Sequence, residues 1–79
     1  MDSLTISDLW IASAITVVTR LEPTYASKNK KIVFNFPATP EAREAVNAFT
    51  GGELHVSASG YSEVVRRLRN EMMTRRNLI

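Results

Sequence analysis

The stretch KIVFNFP, residues 31–37, constrains the fold more than any other part of this chain. Ile32, Phe34 and Phe36 occupy alternate positions, so in an extended strand they would point to one face and their neighbours to the other. This alternation predicts a strand with one buried face. Such a strand is stable only beside other strands and against a covering layer, which the rest of the chain must supply.

The residues before this strand predict the other arm of a β-hairpin. Residues 27–30, SKNK, are typical of a polar turn, and Asn29 is a residue type that tolerates the positive φ such turns require. The first arm would be short and would cover residues 24–26.

The segment TISDLWIASAITVVTRLEP, residues 5–23, predicts a first helix. Thr5 or Ser7 would cap it by accepting a hydrogen bond from an N–H group of the first turn, and Pro23 would end it. Its many β-branched residues favour a strand instead, but its length and its lack of strict alternation favour a helix. Its apolar stripe would consist of Ile11, Ala14, Ile15, Val18 and Leu21.

A second helix is predicted after the strand, with Thr39 as its N-cap and Pro40 in its first turn. The paired glycines that follow it have two interpretations, a phosphate-binding loop or the end of the helix. A phosphate-binding glycine loop precedes a helix and offers the helix N-terminus to the anion, whereas these glycines follow one. We therefore expect Gly51 to adopt the left-handed conformation that is common at helix C-termini.

Residues 60–79 predict a third helix, which Ser57 or Ser59 would cap. The alternating residues 54–56 before it would add a third strand. The expected fold is one α+β domain, residues 1–79, with three helices and a small antiparallel sheet of two or three strands, in the order α-β-β-α-(β)-α. A sheet this small leaves edges and one face uncovered, so we also expect self-association as a homodimer.

Composition gives little support for an enzyme. The chain has 79 residues, no Cys and one His, which excludes disulfides, thiolate chemistry and His-rich or Cys-rich metal sites. His55 is the one side chain expected to titrate near neutral pH, but the sequence places no Ser, Asp or Glu to form a triad with it. We expect a protein that is not an enzyme and that has no catalytic residue, metal or cofactor.

The longest apolar run, residues 9–18, is too short to cross a bilayer, and no basic residues precede it as they would in a signal peptide. We therefore expect no contact with a membrane and a cytoplasmic location. The net charge is only +2, but five Arg and two Glu follow Gly60, so the basic excess lies in the last helix.

The charged residues of the last helix divide into two groups. Glu63, Arg67, Glu71 and Arg75 are spaced by four and would form a stabilising ladder of alternating charge. The other arginines have little acidic company and would share a neighbouring strip, which is either a solvated helix face or a surface for a protein or nucleic-acid partner. Lysines of the hairpin turn, and a tyrosine that could stack on a base, would extend that surface. The candidate binding residues are Arg66, Arg69, Arg76, Lys28, Lys30, Lys31 and Tyr25.

A TxSDL helix start, a VFNF strand, a helix ending in FxGG, an extended LxV and a terminal amphipathic helix follow one another over residues 5–72. This order resembles a group of small domains of unknown function in bacteria, phages and other mobile elements. The resemblance implies a compact α+β domain and a phage or prophage origin, and it assigns no activity. We therefore expect a small non-enzymatic binding module, a regulator or inhibitor that acts by protein–protein contact. The alternative is nucleic-acid or nucleotide binding through the basic C-terminal helix.

Overall fold

In the computed structural model, which describes residues 2–77, three strands and three helices follow one another in the order β-α-β-β-α-α. The α+β class, the three helices and the small antiparallel sheet are confirmed. The strands are β1 (Ser3–Ile6), β2 (Thr24–Lys28) and β3 (Lys31–Pro37), and the helices are α1 (Leu9–Thr19), α2 (Pro40–Thr50) and α3 (Ala58–Arg76).

Strand β3 is the centre of an antiparallel sheet with the order β1-β3-β2. Phe34 pairs with Ile6 of β1 and with Tyr25 of β2, and Phe36 pairs with Leu4. Since directly paired residues share a face of the sheet, both neighbouring strands extend the apolar face of β3. Phe34 and Phe36 are 0% and 1% exposed, which confirms the predicted strand and its buried face.

The third strand is β1, and the optional strand predicted at residues 54–56 is not formed. Leu4 and Ile6 pack against the core from β1. Thr5 points to the opposite face, where its Oγ1 donates a hydrogen bond to Asn35 Oδ1 at 2.8 Å. This short strand has the same alternation as β3. Because β1 pairs with the second edge of β3, no edge of β3 is left for a strand at residues 54–56.

Helix α1 begins after Asp8, whose Oδ1 accepts hydrogen bonds from the N–H groups of Trp10 and Ile11 at 2.7 and 3.1 Å. The prediction that Thr5 or Ser7 caps this helix is wrong, because Thr5 belongs to the sheet and the helix starts later. An Asp at this position satisfies two N–H groups, and its charge also interacts favourably with the positive end of the helix dipole.

Helix α1 ends at Thr19, before the predicted end at Pro23. Arg20 adopts a left-handed conformation with a φ of 64°, and its N–H donates to the carbonyl of Thr16 at 2.8 Å. A left-handed residue is a common helix ending that does not need a proline. Pro23 lies buried in the connection to β2.

The β2–β3 hairpin turns at Asn29 and Lys30, which have φ values of 53° and 65°. Two consecutive residues with positive φ are the arrangement of a type I′ turn, whose twist matches that of the flanking strands. The predicted hairpin and the positive φ of Asn29 are confirmed. Strand β2 continues to Lys28, further than the predicted first arm, and Lys28 pairs with Lys31.

Helices α2 and α3 begin at predicted caps. Thr39 Oγ1 accepts a hydrogen bond from the N–H of Ala42 at 3.1 Å, and Pro40 is the first helical residue. Ser57 Oγ accepts one from the N–H of Gly60 at 3.2 Å.

At the end of α2, Gly52 and not Gly51 is the left-handed residue. Gly51 has a φ of −83° and Gly52 a φ of 72°. The N–H of Gly52 donates to the carbonyl of Phe49 at 3.1 Å and that of Glu53 to the carbonyl of Ala48 at 2.8 Å, which together form a Schellman ending. The predicted position is therefore wrong by one residue. Because these N–H groups are already bonded, they do not form a phosphate cradle.

The core lies between β3 and the helical layer, in which α1 packs against both α2 and α3. Val33, predicted on the opposite face, is also buried at 8% exposure in the central strand, where it pairs with Ala26. The residues of the main core cluster are Ala12, Ile15, Phe34, Phe36, Ala42, Ala45 and Leu68.

Candidate binding surface on helix α3

Arg67 attaches α3 to the connection between α1 and β2. Its two terminal nitrogens donate to the two carboxylate oxygens of Glu22 at 2.5 and 3.0 Å. The hydrogen bond with Glu22 raises the pKa of Arg67 above its usual value. The predicted ladder, in which Arg67 pairs within the helix with Glu63 and Glu71, is wrong at this position, because Glu22 offers a bidentate partner with better geometry.

Arg75 attaches the C-terminal half of α3 to the sheet. It pairs with Glu71 at 2.9 Å, as predicted, and its guanidinium lies 4.6 Å from the centre of the Tyr25 ring. Phe34 meets the same ring edge-on, with 5.5 Å between the ring centres. Burial raises the pKa of the Tyr25 phenol. Tyr25, a candidate for stacking on a base, is thus packed between the core and α3.

The outer side of α3 carries Arg66, Arg69 and Arg76, all exposed. At about 100° per residue these three positions span roughly 80° of the helix circumference, and Met73 falls between them. Met73 is 43% exposed. Neither of the two ion pairs formed within residues 2–77 involves these three arginines. We call these four residues the arginine strip.

Met73 is the member of the strip that sequence reasoning missed. The neighbouring Met72 packs against the core. Met73 lies one residue further, about 100° around the helix, and so falls on the outer side between the arginines. Helical spacing alone could have identified it.

The predicted lysines lie together at the tip of the hairpin, where Lys28, Lys30 and Lys31 are all exposed. Tyr25, which lies beneath Arg75, is three residues before Lys28 along β2, a distance of about 10 Å. The hairpin lysines are therefore separated by most of the length of β2 from the ring that Arg75 covers.

A second surface lies between α1 and α2. Two adjoining hollows of about 340 and 310 Å³ share Val18 and Glu41. Val18, predicted in the buried stripe of α1, is 46% exposed, because the residues of α2 that face it, Ala45 and Ala48, are small. We call this surface the acidic groove, since both of its charged residues are acidic. Its main lining residues are Val18, Leu21, Glu41, Glu44, Ala48 and Leu54.

A third hollow, of about 570 Å³, lies open between α1 and α3. Its charged residues are of both signs, Arg20 and Arg67 with Glu22 and Glu63, and one opposite pair is already bonded. The Thr16 hydroxyl beside it is buried and has no hydrogen-bond partner among the described residues. Because its charges are mixed, this hollow favours no class of charged ligand.

His55 lies exposed in the link between α2 and α3. Within residues 2–77, no three side chains of His, Cys, Asp or Glu are grouped so that they could hold a metal ion. None of the helices in this part of the chain combines the length and the hydrophobicity that a bilayer-spanning segment needs.

No protein-family model matches the chain, and no curated protein or solved structure is significantly similar to it. The resemblance to small bacterial and phage domains therefore gains no support from these comparisons. Any assignment of function depends on the surfaces described above.

Proposed function

We propose that this protein is a non-enzymatic binding module that contacts an acidic surface of another protein through the arginine strip. The observation that carries this proposal is the contrast between two sets of arginines on α3. Arg67 and Arg75 are bonded within the protein, to Glu22 and Glu71. The strip arginines point outward around an exposed methionine.

A protein partner accounts for Met73 better than a nucleic acid does. Met and Arg are both enriched in protein interfaces, and an exposed apolar side chain gains free energy when a partner covers it. The Tyr25 ring, the side chain predicted to stack on a base, is covered by Arg75, and the exposed Trp10 lies beside Tyr61 near the start of α3.

The two attachments of α3 also favour binding by a preformed surface. Arg67 and Arg75 join the helix to the α1–β2 connection and to the sheet, so the strip needs little ordering when a partner arrives. Binding by a preorganised surface loses less conformational entropy. A module of this kind, of phage or bacterial origin, would regulate or inhibit its partner by covering a surface that the partner needs.

The test compares the wild type with a variant carrying Arg66→Gln, Arg69→Gln and Arg76→Gln. Exposed charges of this kind contribute little to stability, so the unfolding midpoint should barely move. Affinity for an acidic amphipathic peptide should fall by more than about tenfold, or about 1.4 kcal/mol. The matched control, Arg67→Gln with Arg75→Gln, should weaken binding less and loosen the helix more.

The salt dependence of binding identifies the class of partner. A generic DNA duplex held by phosphate contacts would show a steep linear fall of log affinity with log salt. An acidic protein surface would show a shallower dependence, carried mainly by the association rate. Because the exposed hairpin lysines add to the positive charge of the strip arginines, nucleic-acid binding is the second candidate, and tight, steeply salt-dependent DNA binding would favour it. Equal binding by the wild type and the triple variant would contradict both functions.

A further inference from the structure

The arginine strip and the acidic groove are two surfaces of opposite charge on one molecule. We propose that the strip of one copy binds the groove of a second copy, so that the protein associates head to tail. This inference rests on the proposed function, because it assigns a particular partner to the same strip.

The acidic groove has the chemistry of a receptor for a basic helix. Glu41 and Glu44 are exposed at its border, and Val18 is exposed on its floor. Arg43, the basic residue of α2, lies about 160° around the helix from Glu41 and therefore points away from the groove. The groove thus offers negative charge beside an apolar surface.

The strip has the complementary chemistry and a comparable length. Arg66 and Arg76 lie about 15 Å apart along α3, and the part of α2 from Glu41 to Ala48 is about 10 Å long. In the proposed contact Met73 covers the apolar floor, and the first two strip arginines lie opposite the two glutamates, because the members of each pair are three residues, or about 4.5 Å, apart along their helix. An amphipathic helix in an apolar groove is a common mode of recognition.

The two surfaces cannot satisfy each other within one molecule. Helix α1 lies between α2 and α3, so the groove beside α2 is separated from the outer face of α3 by the width of a helix. A contact between two different surfaces is heterologous and produces either closed rings or open chains. One helix in one groove forms a small interface, and interfaces below about 1,200 Å² are typical of weak contacts. Association should therefore require high protein concentration and low salt.

This arrangement differs from a homodimer formed by pairing the free edges of β2. Arg75 lies over Tyr25 of β2, so pairing two β2 edges would bring the basic ends of two α3 helices towards each other. Like charges brought together in this way disfavour the contact. The groove-to-strip contact instead brings opposite charges together.

The test reverses the charge of each surface separately. The groove variant carries Glu41→Lys and Glu44→Lys, the strip variant carries Arg66→Glu and Arg69→Glu, and Arg43→Glu is the control on the far side of α2. Sedimentation velocity at low salt follows the average mass as protein concentration rises. We expect the wild type and the Arg43→Glu control to associate alike, and each reversed variant alone to associate at least tenfold more weakly.

An equimolar mixture of the two reversed variants should regain association, because the reversed strip then matches the reversed groove. That recovery also shows that both variants are folded. A wild type that stays monomeric, a groove variant that associates like the control, or a mixture that stays monomeric would each overturn the inference. A monomeric wild type whose affinity for the acidic peptide still depends on the strip would refute only the self-association and leave the proposed function intact.

Discussion

Replacing Phe34 by Ala tests whether the sheet and the helices share one core. Phe34 is 0% exposed, lies in the central strand and is the edge-on partner of the Tyr25 ring. A buried Phe→Ala change costs about 3–5 kcal/mol. Loss of the aromatic pair adds roughly 0.5–1.5 kcal/mol to the cost of lost burial. We therefore expect a destabilisation in the upper half of the range of about 3–5 kcal/mol. A small domain has a total stability of about 5–10 kcal/mol, which would leave the variant barely folded.

Urea unfolding followed by circular dichroism measures this loss, since the midpoint and the slope give the free energy of unfolding. Val33→Ala is the matched control, because Val33 is the adjacent residue of β3 and faces the other side of the sheet. Val33→Ala removes two methyl groups and should cost roughly 1.5 kcal/mol, at about 0.8 kcal/mol per buried carbon. A Phe34→Ala variant with the wild-type midpoint would refute the core and the strand register.

Three further changes test single features of the fold. Gly52→Ala should destabilise by about 1 kcal/mol in urea, because Gly52 holds the left-handed conformation, and Gly51→Ala, at an ordinary φ, should cost less. Asp8→Ala removes the cap of α1 and should cost about 1 kcal/mol, with a visible loss of helical circular dichroism. The raised pKa of Tyr25 means that burial favours the neutral phenol, so this contribution is fully present below the ordinary value of about 10 and is lost as pH rises through the raised value. Thermal midpoints should therefore fall above pH 10, and Tyr25→Phe should reduce that fall.

Local signals predicted the parts of the fold that depend on local chemistry. The caps Thr39 and Ser57, the turn at Asn29 and the buried alternation of β3 each depend on a few adjacent residues, so the sequence was sufficient to locate them. Strand β1 was missed because it has only four residues and directly precedes a strong helical pattern. The predicted helix therefore began too early, at Thr5.

The candidate site was less predictable, because its partners are distant in sequence. Spacing by four residues suggested intrahelical partners for Arg67, but the partner is Glu22, 45 residues away. Similarly, no local pattern shows that Arg75 covers the Tyr25 ring or that small residues of α2 leave Val18 exposed. Charge spacing found the strip arginines, but which arginines are already bonded depends on how α3 packs.

The packing of α3 leads to a last prediction, that Arg67 couples more strongly to Glu22 than Arg75 does to Glu71. Both pairs are about half exposed, and exposed pairs contribute only about 0.2–1 kcal/mol. The Glu71–Arg75 pair joins residues of one helix and should show about 0.3–0.5 kcal/mol. The Glu22–Arg67 pair is bidentate and joins α3 to a different part of the chain. Its coupling energy should therefore approach the upper limit for exposed pairs, about 1 kcal/mol.

Double-mutant cycles with Gln substitutions measure both coupling energies, because each cycle subtracts the effects of the single changes from that of the double change. Salt should weaken both couplings, and Glu22→Gln should also speed amide hydrogen exchange in the middle of α3. Glutamine keeps the shape of Glu but is shorter than Arg; because the cycle subtracts the effect of each single change, the coupling energy reports the charge and hydrogen bonding of the pair. A Glu22–Arg67 coupling no larger than that of Glu71–Arg75 would show that Arg67 does not hold α3 against the connection. The position of the arginine strip would then depend mainly on the buried side chain of Leu68.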